Sequence, residues 1–133
     1  MKTKTFQCNK LVRDKTLERL HAQGGSTRHF VLKNEELETA LKKKLLEEVD
    51  EFLCATDQSE RAAEFADVLE VLDALRHFYA LSLADINQKK QDRFDARGGF
   101  FDGIFLQTMK LPLDSPMGKY CQKNINRYPE TEE

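Results

Sequence analysis

The stretch LLEEVDEFLCATDQSERAAEFADVLE, residues 45–70, decides how this chain folds. It holds Glu48-x-x-Glu51, then twelve residues, then Glu64-x-x-Asp67. Carboxylates three apart share one face of a helix. Residues 56–59 read as a turn, so the two halves should form an antiparallel helical hairpin. The centre of that turn falls between Asp57 and Gln58. Glu51 and Glu64 are equidistant from it, and so are Glu48 and Asp67. The expectation is two facing pairs, four carboxylates in one cluster. Anions that close repel strongly, and cations among them are what keeps them ionised.

The flanking residues extend both helices. Leu37, Leu41, Leu45, Val49 and Phe52 recur at three- and four-residue steps, which predicts a helix over residues 35–55. Asn34 offers an N-cap oxygen, and Glu35 and Glu36 stand in the first turn, where the helix dipole favours them. Asp57-x-x-Glu60 or Ser59 caps the second helix. That helix should run to residue 81 through Phe65, Val68, Leu69, Val71, Leu72, Leu75, Phe78 and Tyr79. Its apolar arc is wide, so it is expected to be the most buried element. Ser82-x-x-Asp85 opens a shorter polar helix over residues 84–95. Part of residues 10–23 should also be helical, stopped by Gly24-Gly25. The apolar runs 27–32 and 100–106 are expected to pair as two strands. After Leu111 come Pro112, Pro116, Gly118 and Pro129 and an acidic end. The expected architecture is all-α, a bundle around the hairpin with a minor two-stranded β element. It comprises one domain over residues 1–111 and an irregular tail over 112–133.

Composition narrows the function. A chain of 133 residues with net charge −2 is one domain without a broad nucleic-acid footprint, so no nucleic-acid polymer is expected as partner. The N-terminus is locally basic, with Lys2, Lys4, Lys10, Arg13 and Lys15 against Asp14. Cys8, Cys54 and Cys121 match no zinc spacing and read as free thiols in a reducing compartment. The start carries no apolar signal stretch. No uncharged run approaches the ~20 residues that span a bilayer. The expected location is the cytoplasm, with no membrane partner.

An acidic run on a helix is ordinarily a solvated face. Two features argue otherwise. Glu48 continues the stripe Leu41–Leu45–Glu48–Phe52, and Glu64 continues Glu64–Val68–Val71–Leu75. These acids therefore lie on or beside the packing faces, where an unpaired charge is costly. The two pairs also coincide in level across the hairpin. The candidate ligands Glu48, Glu51, Glu64 and Asp67 offer only hard oxygens, which suit Mg2+ or Mn2+ and disfavour zinc or copper. Magnesium commonly shares its shell with a substrate phosphate, so phosphate-ester or phosphoanhydride chemistry follows. Cations for the remaining phosphate oxygens are available at Lys10 and Arg13, three apart, and at Arg93 and Arg97, four apart, just before Gly98-Gly99. Each pair should share a helical face; the ordinary alternative is surface ion pairing.

Glu47-Glu48-x-x-Glu51, a short spacer and Glu64-x-x-Asp67 resemble the signature of the all-α nucleoside triphosphate pyrophosphohydrolases. That superfamily includes the MazG-type enzymes, the dimeric dUTPases and phosphoribosyl-ATP pyrophosphohydrolase. Asn9-Lys10-Leu11-Val12-Arg13-Asp14-Lys15 and Arg97-Gly98-Gly99-Phe100 resemble the opening and closing motifs of a small MazG-like subgroup. The resemblance covers residues 9–106. It implies metal ligation by Glu48, Glu51, Glu64 and Asp67. It also implies a water-orienting role for Glu47 or Glu51, and phosphate contacts from Lys10, Arg13, Arg93 and Arg97. Arg93 stands where the subgroup has lysine. The implied reaction is hydrolysis of a nucleotide between its α- and β-phosphates, giving a monophosphate and pyrophosphate, with clearance of non-standard nucleotides as a role.

Two other functions fit the same residues. One is a non-catalytic nucleotide- and metal-binding regulatory module. The other is an interaction module whose acids merely solvate the hairpin. Homo-oligomerisation, as a homodimer or homotetramer, is expected in any case. The hairpin is apolar over a wider arc than so short a chain readily covers.

Overall fold

Residues 1–132 are described by the computed structural model, and they contain five helices: α1 (Thr16–Ala22), α2 (Asn34–Cys54), α3 (Gln58–Phe78), α4 (Leu83–Arg97) and α5 (Pro116–Lys123). The chain forms two compact units, Met1–Asp92 and a second that begins at Arg93.

The first unit is organised by α2 packed against α3. Only Ala55, Thr56 and Asp57 separate them. This turn is closed by reciprocal capping. Asp57 Oδ1 accepts from the Glu60 N–H at 2.8 Å, and Glu60 Oε2 accepts from the Thr56 N–H at 3.3 Å. Orphan donors at the start of α3 are thereby satisfied. Aromatic and polar contacts flank the hairpin. Near the turn, the Phe52 and Phe65 rings meet edge to face with centroids 5.4 Å apart. At the far end, the Glu38 carboxylate beside the Tyr79 hydroxyl raises the Tyr79 pKa above its ordinary value, chiefly by favouring its protonated, hydrogen-bonding form.

The periodicity explains the core. Leu41 on α2 and Val71 and Leu75 on α3 are buried, and Leu11, Leu37, Leu45 and Phe78 pack against them half-buried. Burial of each such side chain contributes about 2 kcal/mol. The start of α2 differs from expectation. Lys33 holds the extended cap position with no side-chain cap bond, and Asn34 enters the helix at φ 53°. Asparagine tolerates this left-handed backbone better than most residues.

Two helices end in the same way. After α1, Gly24 (φ 84°) donates to His21 O at 2.9 Å and Gly25 donates to Leu20 O at 3.0 Å. After α3, Ala80 (φ 53°) donates to His77 O and Leu81 donates to Arg76 O, both at 3.0 Å. This is the Schellman arrangement, and its left-handed residue is normally glycine. Ser82 Oγ then accepts from the Asp85 N–H at 3.3 Å and opens α4, as its capping pattern predicts.

The second unit contains α5. Ser115 caps it, and Gly118 is buried so closely that a Cβ there would collide with the Pro112 carbonyl oxygen. The tail beyond residue 111 is thus helical in part, where an irregular segment was expected.

The two-stranded element does not form: residues 27–32 and 100–106 carry no strand among the described residues. Phe30 and Val31 are 81% and 77% exposed, and Phe100 and Phe101 are 101% and 91% exposed. An isolated strand pair is marginal in water unless one face packs on something. Neither run has that support, so apolar content alone does not make it a strand.

Ala80 in the left-handed region is unfavourable for an L-residue with a Cβ. Ala80→Gly is expected to stabilise the protein by up to about 1 kcal/mol. Urea denaturation checks this, and a variant less stable than wild type would show that Ala80 is not strained.

Candidate metal centre

α2 supplies Glu47, Glu48 and Glu51, and α3 supplies Glu64 and Asp67. Glu48 lies on the Leu41–Leu45 face, so winding the helix carries it inward with the leucines. It is 7% exposed, the one charged residue buried among those described. Glu64 is half-buried and Glu51 exposed. One carboxylate oxygen from each of Glu48, Glu51 and Glu64 lies within 4.8 Å of the others. Two helices thus deliver three anionic oxygens to one point, with one side open to water.

Hydrogen bonding within the group is incomplete. Lys44 Nζ stands 3.2 Å from Glu48 Oε1 and 3.7 Å from Glu47 Oε2. It compensates one oxygen of the buried carboxylate and leaves the other. Glu48 Oε2 and Glu64 Oε2 are buried and have no hydrogen-bond donor among the described residues. A buried carboxylate oxygen without a partner is costly. Two of them in the residues of one three-carboxylate group are the pattern a cation relieves. The donors are all hard oxygens, so the residues present fit a divalent ion of the magnesium or manganese kind.

Of the four expected ligands, the structure brings together Glu48, Glu51 and Glu64. Asp67 is engaged elsewhere: its Oδ1 accepts from Arg13 Nη2 at 2.7 Å. Glu47 stands beside the group through Lys44. Lys10 and Arg13 precede α1, which begins only at Thr16, so they share no helical face. Arg93 and Arg97 both lie on α4, four apart and exposed, within the second unit. Lys44 is the residue at this acid group that sequence reasoning passed over. Its signal was present, as lysine at i−4 from Glu48 and i−3 from Glu47 on a helix.

Comparison of the chain with models of protein families, with curated proteins and with solved structures finds no match. No helix among the described residues is long and apolar enough to cross a membrane.

Without Lys44, the buried Glu48 would have no cation within reach, among the described residues, to offset it or its carboxylate neighbours. Lys44→Met is expected to destabilise the metal-free protein by about 2 kcal/mol. Adding Glu48→Gln to that variant should recover most of the loss. Chemical denaturation with a chelator present measures both. A loss that Glu48→Gln leaves untouched would assign Lys44 to packing.

Proposed function

We propose that this protein is a divalent-metal-dependent nucleotide pyrophosphohydrolase, with Mg2+ or Mn2+ held by Glu48, Glu51 and Glu64. The observation that carries the reading is the pair of buried, unpartnered oxygens, Glu48 Oε2 and Glu64 Oε2, within a three-carboxylate group. An acidic face that only met solvent would leave neither oxygen buried. The resemblance of the acidic motif to the all-α nucleoside triphosphate pyrophosphohydrolases supplies the substrate class and the bond that breaks.

A divalent ion in such a site supplies charge neutralisation on phosphate oxygens and a lowered pKa of water. The chain's own residues do the rest. Glu47 lies beside the group but not among its three oxygens, so its carboxylate is available to orient a water and take its proton. Glu51, the exposed member, stands where water and substrate enter and shares in orienting the water. The water oxygen adds to phosphorus, the α–β bridging P–O bond breaks, and pyrophosphate leaves. Arg13 offsets charge on the departing phosphates, with Lys10 three residues before it. Lys44 holds Glu48 Oε1, which leaves Oε2 without a partner.

A second copy of the chain completes this reading. Leu46 and Leu53 on α2 are 71% and 72% exposed, and Phe65, Leu69 and Leu72 on α3 are 52%, 50% and 44% exposed. They recur at three-, four- and seven-residue steps, the pattern of helix faces that pack. A homodimer joins these faces into a larger helical bundle. Leu69→Glu is expected to convert the assembly to monomer in sedimentation. A wild-type chain that sediments as a monomer overturns the dimer.

Incubation with a panel of nucleoside triphosphates and Mg2+ should yield monophosphate and pyrophosphate rather than diphosphate and phosphate. Glu51→Gln and Glu64→Gln should each lower turnover about a hundredfold or more. Mg2+ at a hundredfold excess over its Kd should stabilise the fold by about 2.7 kcal/mol. Turnover undiminished by exhaustive chelation, or absent across the panel, defeats the proposal.

A further inference from the structure

We infer that Lys44 is a positioning residue that sets the choice of ion: by holding one oxygen of Glu48 it limits how many carboxylate oxygens α2 gives the ion, which favours Mg2+ over Ca2+. The inference rests on the metal reading above. Three observations carry it. Glu48 is the buried charge of the group, with a side chain 9% exposed, and its two oxygens differ in their surroundings. Oε1 faces Lys44 Nζ at 3.2 Å, while Oε2 is buried with no hydrogen-bond partner among the described residues. And Lys44 Nζ also stands 3.7 Å from Glu47 Oε2, so one ammonium spans two consecutive carboxylates.

Helix geometry keeps this lysine at the group. Lys44 precedes Glu48 by four residues and Glu47 by three on α2, the spacings at which helical side chains meet. Its side chain is 22% exposed, so most of it is withdrawn from water. Charge gives it a reason to stay when an ion binds. Glu48, Glu51 and Glu64 carry three negative charges, and a divalent ion offsets two of them. Lys44 supplies the third positive charge. If it left, Oε1 of a buried carboxylate would need another partner.

The two ions differ in the oxygens they take. Calcium takes about six to eight, and a carboxylate can give it both of its own. Magnesium is octahedral, binds at closer range and keeps several waters. A Glu48 with Oε1 engaged gives one oxygen, and a Glu47 held by the same lysine gives none. The site then offers few carboxylate oxygens and leaves the rest of the shell to water and phosphate. Without Lys44, Glu48 can bind through both oxygens and Glu47 can join it. That larger oxygen set suits calcium.

Calorimetry on the intact chain tests it with two probes, Mg2+ alone and Ca2+ alone. Both ions carry two charges, so loss of the lysine charge by itself shifts both affinities by the same factor. Lys44→Met should lower the ratio of Mg2+ to Ca2+ affinity by about tenfold, the scale of one contact to a charged group. Lys44→Arg, which keeps the charge and the N–H donors, should retain most of the wild-type ratio. If Lys44→Met unfolds without an ion, the Mg2+ and Ca2+ concentrations that refold half of it give the same ratio, because the free energy of refolding is common to both. Equal shifts for both ions in Lys44→Met, or a Lys44→Arg ratio that falls as far as that of Lys44→Met, overturn the inference and leave the metal site standing. So does a Lys44→Met chain that neither ion binds or refolds. A wild-type chain that binds neither ion overturns the metal reading and this inference with it.

Discussion

A carboxylate wound onto the packing face of a helix is the constraint on which the rest of this structure depends. Glu48 occupies the position that the Leu41–Leu45 spacing assigns to a core residue, and it is buried there. A charge in that place needs compensation. Lys44, one turn earlier on α2, supplies it for one oxygen. The second oxygen is left buried without a partner, in a residue that shares a three-carboxylate group with Glu51 and Glu64 from the two helices. The site is therefore a consequence of helix phase: the leucine stripe buries Glu48, and the tight turn brings Glu64 opposite.

The same hairpin explains why the chain is economical in its core. Leu41, Val71 and Leu75 are the buried apolar residues among those described, while Leu46, Leu53, Phe65 and Leu69 stay exposed. One face of each helix is used to build the acid group and the small core. The other faces stay apolar and largely exposed, apart from the Phe52–Phe65 ring contact. Stability and site geometry draw on the same few contacts, so changes near Glu48 act on both.

What was legible in the sequence was local. The helical hairpin, the Asp57–Glu60 cap and the Ser82–Asp85 cap all arise from residues within a few positions of one another, where spacing alone determines geometry. The inward position of Glu48 was legible for the same reason. What failed was non-local or lacked a second support. Pairing residues 27–32 with 100–106 required an apolar surface to lie on, and composition says nothing of that surface. Asn34 has cap chemistry, yet Lys33 takes the extended cap position. The Arg13–Asp67 pair joins an irregular segment to α3, so no periodicity could place it. The facing-pair argument located Glu51 and Glu64 correctly as neighbours, but helical level does not tell where a side chain such as Asp67 finds its counter-charge.

The three-residue connection between α2 and α3 also bears on how the protein comes into being. Nearly all contacts of the acid group close short loops, and short loops close quickly and with little entropy loss. A helical hairpin of this kind forms on the fast end of the folding timescale, ahead of anything that must bring in distant chain. During synthesis, Glu48, Glu51 and Glu64 have all emerged, with their turn, before α4 and α5 exist. The acid group is thus assembled among the earliest structure, and the Arg13 contact across 54 residues is a later event laid onto it.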